Sequence, residues 1–181
     1  RIGSFLKNQA ARKNDLFKIA TKAGIKRGDD GRNHFDNSSD HLKSELDKSL
    51  KRLGVEQVEL FYIHRRDPNA PIEEVAGTLA ELVKSGKIKQ FGFSEIAPAS
   101  VQLAADIHPV GAVQSEYSLS TRSPELGLVQ RTRELGTSLV AFSPVGRSLL
   151  TDNPHSFEKS QSLAFLKMNP RFREQNYSRN I

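Results

Sequence analysis

The chain contains no cysteine. That absence excludes disulfides, thiolate metal sites and cysteine nucleophiles, and it fits a reducing cytoplasm as the setting. Long apolar runs are missing too: nothing approaches the roughly 18 residues that cross a bilayer, and Arg1-Ile2-Gly3-Ser4-Phe5-Leu6 lacks a signal peptide's apolar centre. No membrane partner is expected. Neither G-x-G-x-x-G nor G-x-x-x-x-G-K-[ST] occurs, so the glycine-rich phosphate loops of doubly wound nucleotide folds are excluded. His34, His41, His64, His108 and His155 show no zinc-like spacing, and no metal centre is expected. The net charge of +6 forms no basic stripe: its clusters are pairs such as Arg12-Lys13, Lys26-Arg27, Lys51-Arg52 and Arg65-Arg66, interleaved with Asp and Glu. Nucleic acid is therefore not an expected partner, whereas a modest attraction for phosphate-bearing small molecules is compatible with the charge. Methionine occurs once, as Met168, so the chain reads as a segment of a longer protein that opens inside a helix.

What is present is an ordinary soluble composition. At 181 residues, 36% hydrophobic and 27% charged, the chain suits one domain or a piece of one. Ile2, Phe5, Leu6 and Ala10 recur at helical intervals over residues 2–11. A short apolar strand over 16–21 then delivers Lys22 ahead of Gly24. A polar loop over 26–38 leads to a helix capped by Ser39 or Asp40, with a Leu42, Leu46, Leu50, Leu53 stripe ending at Gly54. Residues 58–63 form the second strand and present His64. Pro71 at the first helical position, Glu73 and Glu74 open a helix that buries Ile72, Val75, Leu79, Leu82 and Val83 and closes at Gly86. The third strand, 89–93, runs into Ser94-Glu95. A shorter helix over 98–107 precedes the fourth strand, 110–117, which contains Gln114. Ser123-Pro124-Glu125 opens a helix terminated by Gly136. The fifth strand, 138–142, runs into Ser143-Pro144-Val145-Gly146-Arg147. Beyond it the pattern weakens to a helix over 158–167 and a loop through 169–171.

Five strands separated by helices imply parallel pairing with right-handed crossovers, either an open doubly wound sheet or a (β/α) barrel. Lys22, His64, Ser94, Gln114 and Ser143 all fall within or just past the C-terminal halves of their strands, whereas the opposite turns carry little but Gly, Lys and Asp. Polar groups gathered at the C-terminal ends of successive strands are barrel behaviour.

Ile19-Ala20-Thr21-Lys22, Tyr62-Ile63-His64-Arg65-Arg66-Asp67-Pro68, Lys87-Ile88-Lys89-Gln90-Phe91-Gly92-Phe93-Ser94-Glu95, Val113-Gln114-Ser115-Glu116-Tyr117 and Val140-Ala141-Phe142-Ser143-Pro144-Val145-Gly146-Arg147 follow one another in order. Together they resemble the aldo-keto reductases, with Asn169-Pro170-Arg171-Phe172 similar to that family's segment after the seventh strand. The resemblance implies an α/β (β/α)8 TIM barrel. Residues 1–181 would be a partial reductase domain holding the third to seventh strands. It also implies NADP(H) as cofactor, a small-molecule carbonyl substrate, and hydride transfer that reduces aldehydes or ketones to alcohols.

By the same resemblance Lys22 and His64 are the lysine and histidine of the catalytic tetrad. An ammonium beside a phenol lowers its pKa, and an imidazole can hydrogen-bond and orient a substrate oxygen. Ser94 and Gln114 resemble the residues that hydrogen-bond the nicotinamide carboxamide. Glu95 stands where many members have asparagine and could accept from the carboxamide NH2; the Ser-Glu pair looks like the branch with pyridoxal reductase-like and plant members. Phe142 resembles the aromatic that stacks on the nicotinamide. Residues 143–148 resemble the pyrophosphate loop, with Ser143, Val145 and Arg147 as cofactor contacts. The tetrad's aspartate and tyrosine are expected ahead of Arg1, because Tyr62, Tyr117 and Tyr177 do not match that tyrosine's place. The grip on the adenosine 2′-phosphate is expected beyond Ile181. The chain alone is thus expected to be inactive within an active longer enzyme. The alternatives are a barrel that binds the nucleotide for regulation without turnover, and a helix-rich adaptor that binds none. No pattern bears on oligomeric state.

Overall fold

The computed structural model describes residues 1–9 and 17–181. The chain divides into two compact units, one of Arg1–Ser115 with Glu125–Val140, the other of Glu116–Pro124 with Ala141–Ile181. In the first, helix α1 (Ile2–Asn8) is followed by strand β1 (Ala20–Ala23), strands β2 (Ile25–Arg27) and β3 (Asn33–Phe35), and helix α2 (Ser39–Leu53). Then come β4 (Val58–Ile63), α3 (Ile72–Lys84), β5 (Ile88–Ser94), α4 (Pro98–Ile107), β6 (Ala112–Glu116), α5 (Leu128–Glu134) and β7 (Ser138–Phe142), the last residue of β6 and the last two of β7 being assigned to the second unit. The second unit adds α6 (Phe157–Ser162), α7 (Ala164–Lys167) and α8 (Glu174–Asn180).

The main sheet has the order β1-β4-β5-β6-β7. Its first four strands are parallel, with Lys22 opposite Tyr62, Tyr62 opposite Gly92, Gly92 opposite Ala112, and Ser94 opposite Gln114. Strand β7 runs the same way, since Ser138 N–H donates to Gly111 O at one end and Tyr117 N–H to Phe142 O at the other. Consecutive parallel strands joined through helices are one arc of a β/α barrel.

Side chains alternate across a strand, so register sorts the residues by parity. Ala23, Phe61, Ile63, Phe91, Phe93 and Val113 point to the helices and form the main core with Leu42, Leu46 and Leu50 of α2, Ile72, Val75, Ala76, Leu79 and Leu82 of α3, Val101 and Ala104 of α4, and Leu128 of α5. The helices are defined at both ends. Ser38 Oγ accepts from His41 N–H at the start of α2, and Gly54, at φ +69°, closes it with bonds to Leu50 O and Lys51 O. Glu73 and Glu74 occupy the first turn of α3, and Gly86 sits at φ +74° just past its end. In the second unit Leu149, Leu166, Phe172 and Tyr177 form a separate small core, joined by Phe157 and Leu163.

Several expected boundaries move. Strand 58–63, helix 98–107 and strand 138–142 stand as expected. The first strand lies at Ala20–Ala23 and not at 16–21; the expected start at residue 16, like residues 10 and 11 of the first helix, falls outside the described residues. The loop expected over 26–38 contains the antiparallel hairpin β2–β3, whose exposed residues carry no apolar alternation to betray it. Ser38, not Ser39 or Asp40, caps α2, and Pro71 caps α3 from one position earlier than expected. Ser123-Pro124-Glu125 begins a single 3-10 turn, and Gly127 at φ +147° separates it from α5. The helix expected over 158–167 breaks at extended Leu163 after Ser160 and Ser162 hydroxyls donate to Phe157 O and Lys159 O, a local competition with helix bonds. Residues 169–171 enter a 3-10 turn and then α8. Among the described residues no helix is long and apolar enough to cross a membrane.

Gly92 is a point at which this packing admits no side chain. A Cβ there would lie 2.3 Å from Ala112 O and 2.9 Å from the Tyr62 ring. We expect Gly92→Ala to lower stability by about 1–3 kcal/mol through overpacking, read as a fall in urea midpoint without change of slope. An unchanged midpoint would contradict the packing.

Candidate active site

The face opposite the helices carries Lys22, Tyr62, Gly92 and Ala112 in one row, and Ser94 and Gln114 one step further toward the strand C-termini. The Lys22 ammonium donates to Gln114 Oε1 and lies 5.1 Å from the centre of the Tyr62 ring. Burial, and then the Arg65 guanidinium, lower the Lys22 pKa from its ordinary value. Tyr62 is 4% exposed, and burial raises its phenol's pKa. Lys22 thus meets the face of this ring, and Tyr62 is a wall of the site.

His64 leaves the end of β4 with its N–H bonded to Ala23 O at 2.8 Å. Arg65 Nη1 donates both to His64 O at 2.7 Å and to Ser94 Oγ at 3.2 Å. In the sequence Arg65 stands as half of a basic pair and as a member of the segment 62–68, with no role of its own; its place in the site comes from the turn that follows β4. That turn is anchored by Asn37, 2% exposed, which accepts from Asp67 N–H at 2.8 Å and donates to Arg65 O at 3.2 Å. Asn37 lay in the presumed loop and was missed; a lone asparagine beside a strand gives no signal. Ser94 is 3% exposed. Glu95, exposed and at φ +55°, ends β5 with its N–H on Gln114 O at 2.9 Å. The left-handed turn carries its side chain off the strand's alternation. Burial, then Arg65, then Lys22 hold the His64 pKa below its ordinary value, so the neutral imidazole is favoured.

Phe142, Ser143, Val145 and Arg147 belong to the other unit. There Ser143, Gly146, Arg147 and Ser148 take φ of +51°, +59°, +58° and +85°. Arg147 Nη2 lies 3.5 Å from Glu116 Oε2, its guanidinium 5.9 Å from the Phe165 ring centre, and its buried Nε has no partner among the described residues. Arg171 holds the same Glu116 at 2.7 Å and donates to Thr121 Oγ1 at 2.8 Å. Val145 is half exposed. The geometry therefore brings together Lys22 with Gln114, and His64 with Arg65 and Ser94, while Arg147 is charge-paired within its own unit.

Residues 1–178 match the model of the Aldo/keto reductase family. The chain belongs to that family. It is 40% identical over 183 residues to the aldo-keto reductase str7 of Strobilurus tenacellus, covering 97% of this chain and 51% of that protein. It is 35% identical over 184 residues to the aldo-keto reductase yakc [NADP(+)] of Schizosaccharomyces pombe, covering 99% and 54%. Among solved structures it superimposes on the glycerol dehydrogenase AKR11B4 from Gluconobacter oxydans with a TM-score of 0.82 at 25% identity, covering 99% of this chain and 55% of that one. The holo form of aldo-keto reductase AKR11C1 from Bacillus halodurans gives 0.74 at 29% identity, covering 86% and 51%. The chain spans about half the length of the curated relatives it matches. Its five-stranded parallel sheet is accordingly a partial barrel of the kind these reductases share.

The His64 environment has a measurable sign. Its midpoint in an imidazole NMR titration is expected below the usual value of about 6.5, and Arg65→Met is expected to raise it. A depressed folded-state pKa means that the unfolded chain binds more protons between the two midpoints. This contribution to stability is full above about pH 6.5 and declines as pH falls through the folded midpoint. An Arg65→Met midpoint at or below the parent's would contradict the assignment.

Proposed function

We propose that the longer polypeptide carrying this chain is an NADP(H)-dependent reductase that converts aldehydes or ketones to alcohols, and that residues 1–181 are one part of its catalytic domain. The observation that carries this reading is the polar face of the sheet. Lys22, His64, Ser94 and Gln114, scattered over the sequence, share the C-terminal ends of four neighbouring strands, with Lys22 bonded to Gln114 and Arg65 linking His64 to Ser94. The carboxamide of a nicotinamide fits such a donor set, because Ser94 and Gln114 stand opposite one another with polar atoms directed off the same face.

When bound, reduced nicotinamide supplies a hydride to the carbonyl carbon. In this reading Ser94 and Gln114 orient the carboxamide, with Glu95 beside them. His64, favoured as the neutral imidazole, hydrogen-bonds the carbonyl oxygen and aligns it. Lys22, donor-only and poorly solvated, places positive charge where a neighbouring phenol must give up its proton. Phe142, Ser143, Val145 and Arg147 keep the cofactor contacts that the family resemblance assigns them; a turn in which Gly146, Arg147 and Ser148 are left-handed, with a guanidinium among them, is suited to anionic oxygens. The cytoplasm is the proposed setting, from the absence of cysteine.

The test is NADPH titration of the full-length protein, followed by cofactor fluorescence, together with aldehyde reduction. Lys22→Met and His64→Ala are expected to retain cofactor binding and to lose turnover by about 100-fold or more. Full turnover in Lys22→Met would overturn the lysine's role, and cofactor binding without turnover in the parent protein would favour a regulatory nucleotide-binding barrel.

A further inference from the structure

We propose that Asn37 is a positioning residue that locks the end of β1 to the turn after β4 and so sets the separation of Lys22 and His64. The proposal rests on the reading above of those two side chains as partners in one site. Asn37 belongs to neither strand: it lies in the link between β3 and α2 and is 2% exposed. Both ends of its amide are engaged by one turn. Oδ1 accepts from Asp67 N–H at 2.8 Å, and Nδ2 donates to Arg65 O at 3.2 Å. The residue before it is tied to the other strand, because Asp36 N–H donates to Gly24 O at 3.3 Å. Two successive residues therefore grip the chain just past Lys22 and just past His64.

Sheet pairing alone does not extend this far. β1 and β4 pair from Ala20 opposite Leu60 to Ala23 opposite Ile63, and His64 N–H adds a bond to Ala23 O at 2.8 Å. Beyond that point the chains turn away, and the link over residues 36–38 takes over from the ladder. That link is itself fixed. The Ser38 N–H and hydroxyl both donate to Asp36 Oδ1, at 3.0 and 2.6 Å, while the same hydroxyl caps α2, which packs on the main core. The fit is close: Gly24 sits at φ +99°, and a Cβ there would lie 2.8 Å from Asn37 Nδ2. Asn37 acts through the backbone. By holding the Arg65 carbonyl it keeps that guanidinium where it bonds His64 O and Ser94 Oγ.

Imidazole NMR titration of the folded full-length protein, with steady-state aldehyde reduction, tests this. The charges that act on His64 are Arg65 and Lys22. Asn37→Ala is expected to free the turn and raise the His64 midpoint toward about 6.5. In an Arg65→Met background the same change is expected to leave the midpoint where it is, since the charge it would displace is gone. Asn37→Ala is also expected to lower kcat by about tenfold or more while NADPH affinity stays within about twofold. Asn37→Ser, whose hydroxyl is too short to reach both groups, carries the same expectations where Asn37→Ala does not fold. An unchanged His64 midpoint, or a kcat within about twofold of the parent's, would reduce Asn37 to a structural role and overturn the proposal, whatever the loss of thermal stability. Absence of turnover in the folded parent would overturn the reductase reading instead, and the midpoint, which needs no turnover, would then decide alone whether Asn37 places His64.

Discussion

The bond between the Lys22 ammonium and Gln114 Oε1 imposes a shape on everything around it. These residues sit on β1 and β6, with β4 and β5 between them. Three inter-strand steps amount to about 14 Å in a flat sheet, and side chains on a flat sheet stand parallel to one another. They meet only if the sheet curves with the polar face on its concave side. Curvature then does chemical work. It draws the Lys22 ammonium over the buried Tyr62 ring, reduces its hydration and so lowers its pKa, and it brings the Arg65 charge close enough to act on Lys22 and His64 alike. A flat sheet carrying the same residues would leave each cation in water with its ordinary properties.

Curvature of that sense requires that the two faces be built from different materials. The convex face is apolar at Ala23, Phe61, Ile63, Phe91, Phe93 and Val113, which pack on α2, α3, α4 and α5, while Glu59 and Lys89 form an ion pair near the strand starts. The concave face alternates bulk with its absence: Gly92 leaves space into which the Tyr62 ring fits, and a methyl group there would collide with both neighbours. Because side-chain direction has a period of two, a slip of one residue in any strand would put Phe61, Phe91 or Phe93 into the polar interior and its polar residue into the core. Register is therefore held by the core and spent on the site.

Much of this was legible because residue type and place agree. Strand 58–63 is an apolar run ended by a histidine, and helix 98–107 opens with a proline at its start and lies between two clear strands, so their bounds follow from local rules. Lys22, His64, Ser94 and Gln114 were visible as polar residues where strands should end. Pairing was not visible. That Lys22 reaches Gln114, 92 residues away, depends on curvature, which no local pattern encodes. Arg65 was read as surface charge because an arginine pair past a strand is ordinarily solvated, and Asn37 was hidden because its value lies in two backbone bonds to a turn some 30 residues on. The exposed hairpin and the left-handed run at 143–148 escaped for the same kind of reason: neither buries a periodic face, and only Gly146 in that run announces a positive φ.

The second unit follows a related logic with charge in place of curvature. Glu116 is shared by two guanidiniums, Arg171 at 2.7 Å and Arg147 at 3.5 Å, and Arg171 is further held by Thr121. The shorter, doubly supported contact is the stronger one. If Arg147 turns to a competing anion, Glu116 keeps a partner and is not left as an unpaired carboxylate, so the cost of releasing Arg147 is confined to the longer contact. Its buried Nε has no partner among the described residues, so the present pairing leaves this guanidinium incompletely satisfied. Arg147 is therefore the more loosely tethered of the two guanidiniums, beside a carboxylate that Arg171 already neutralises.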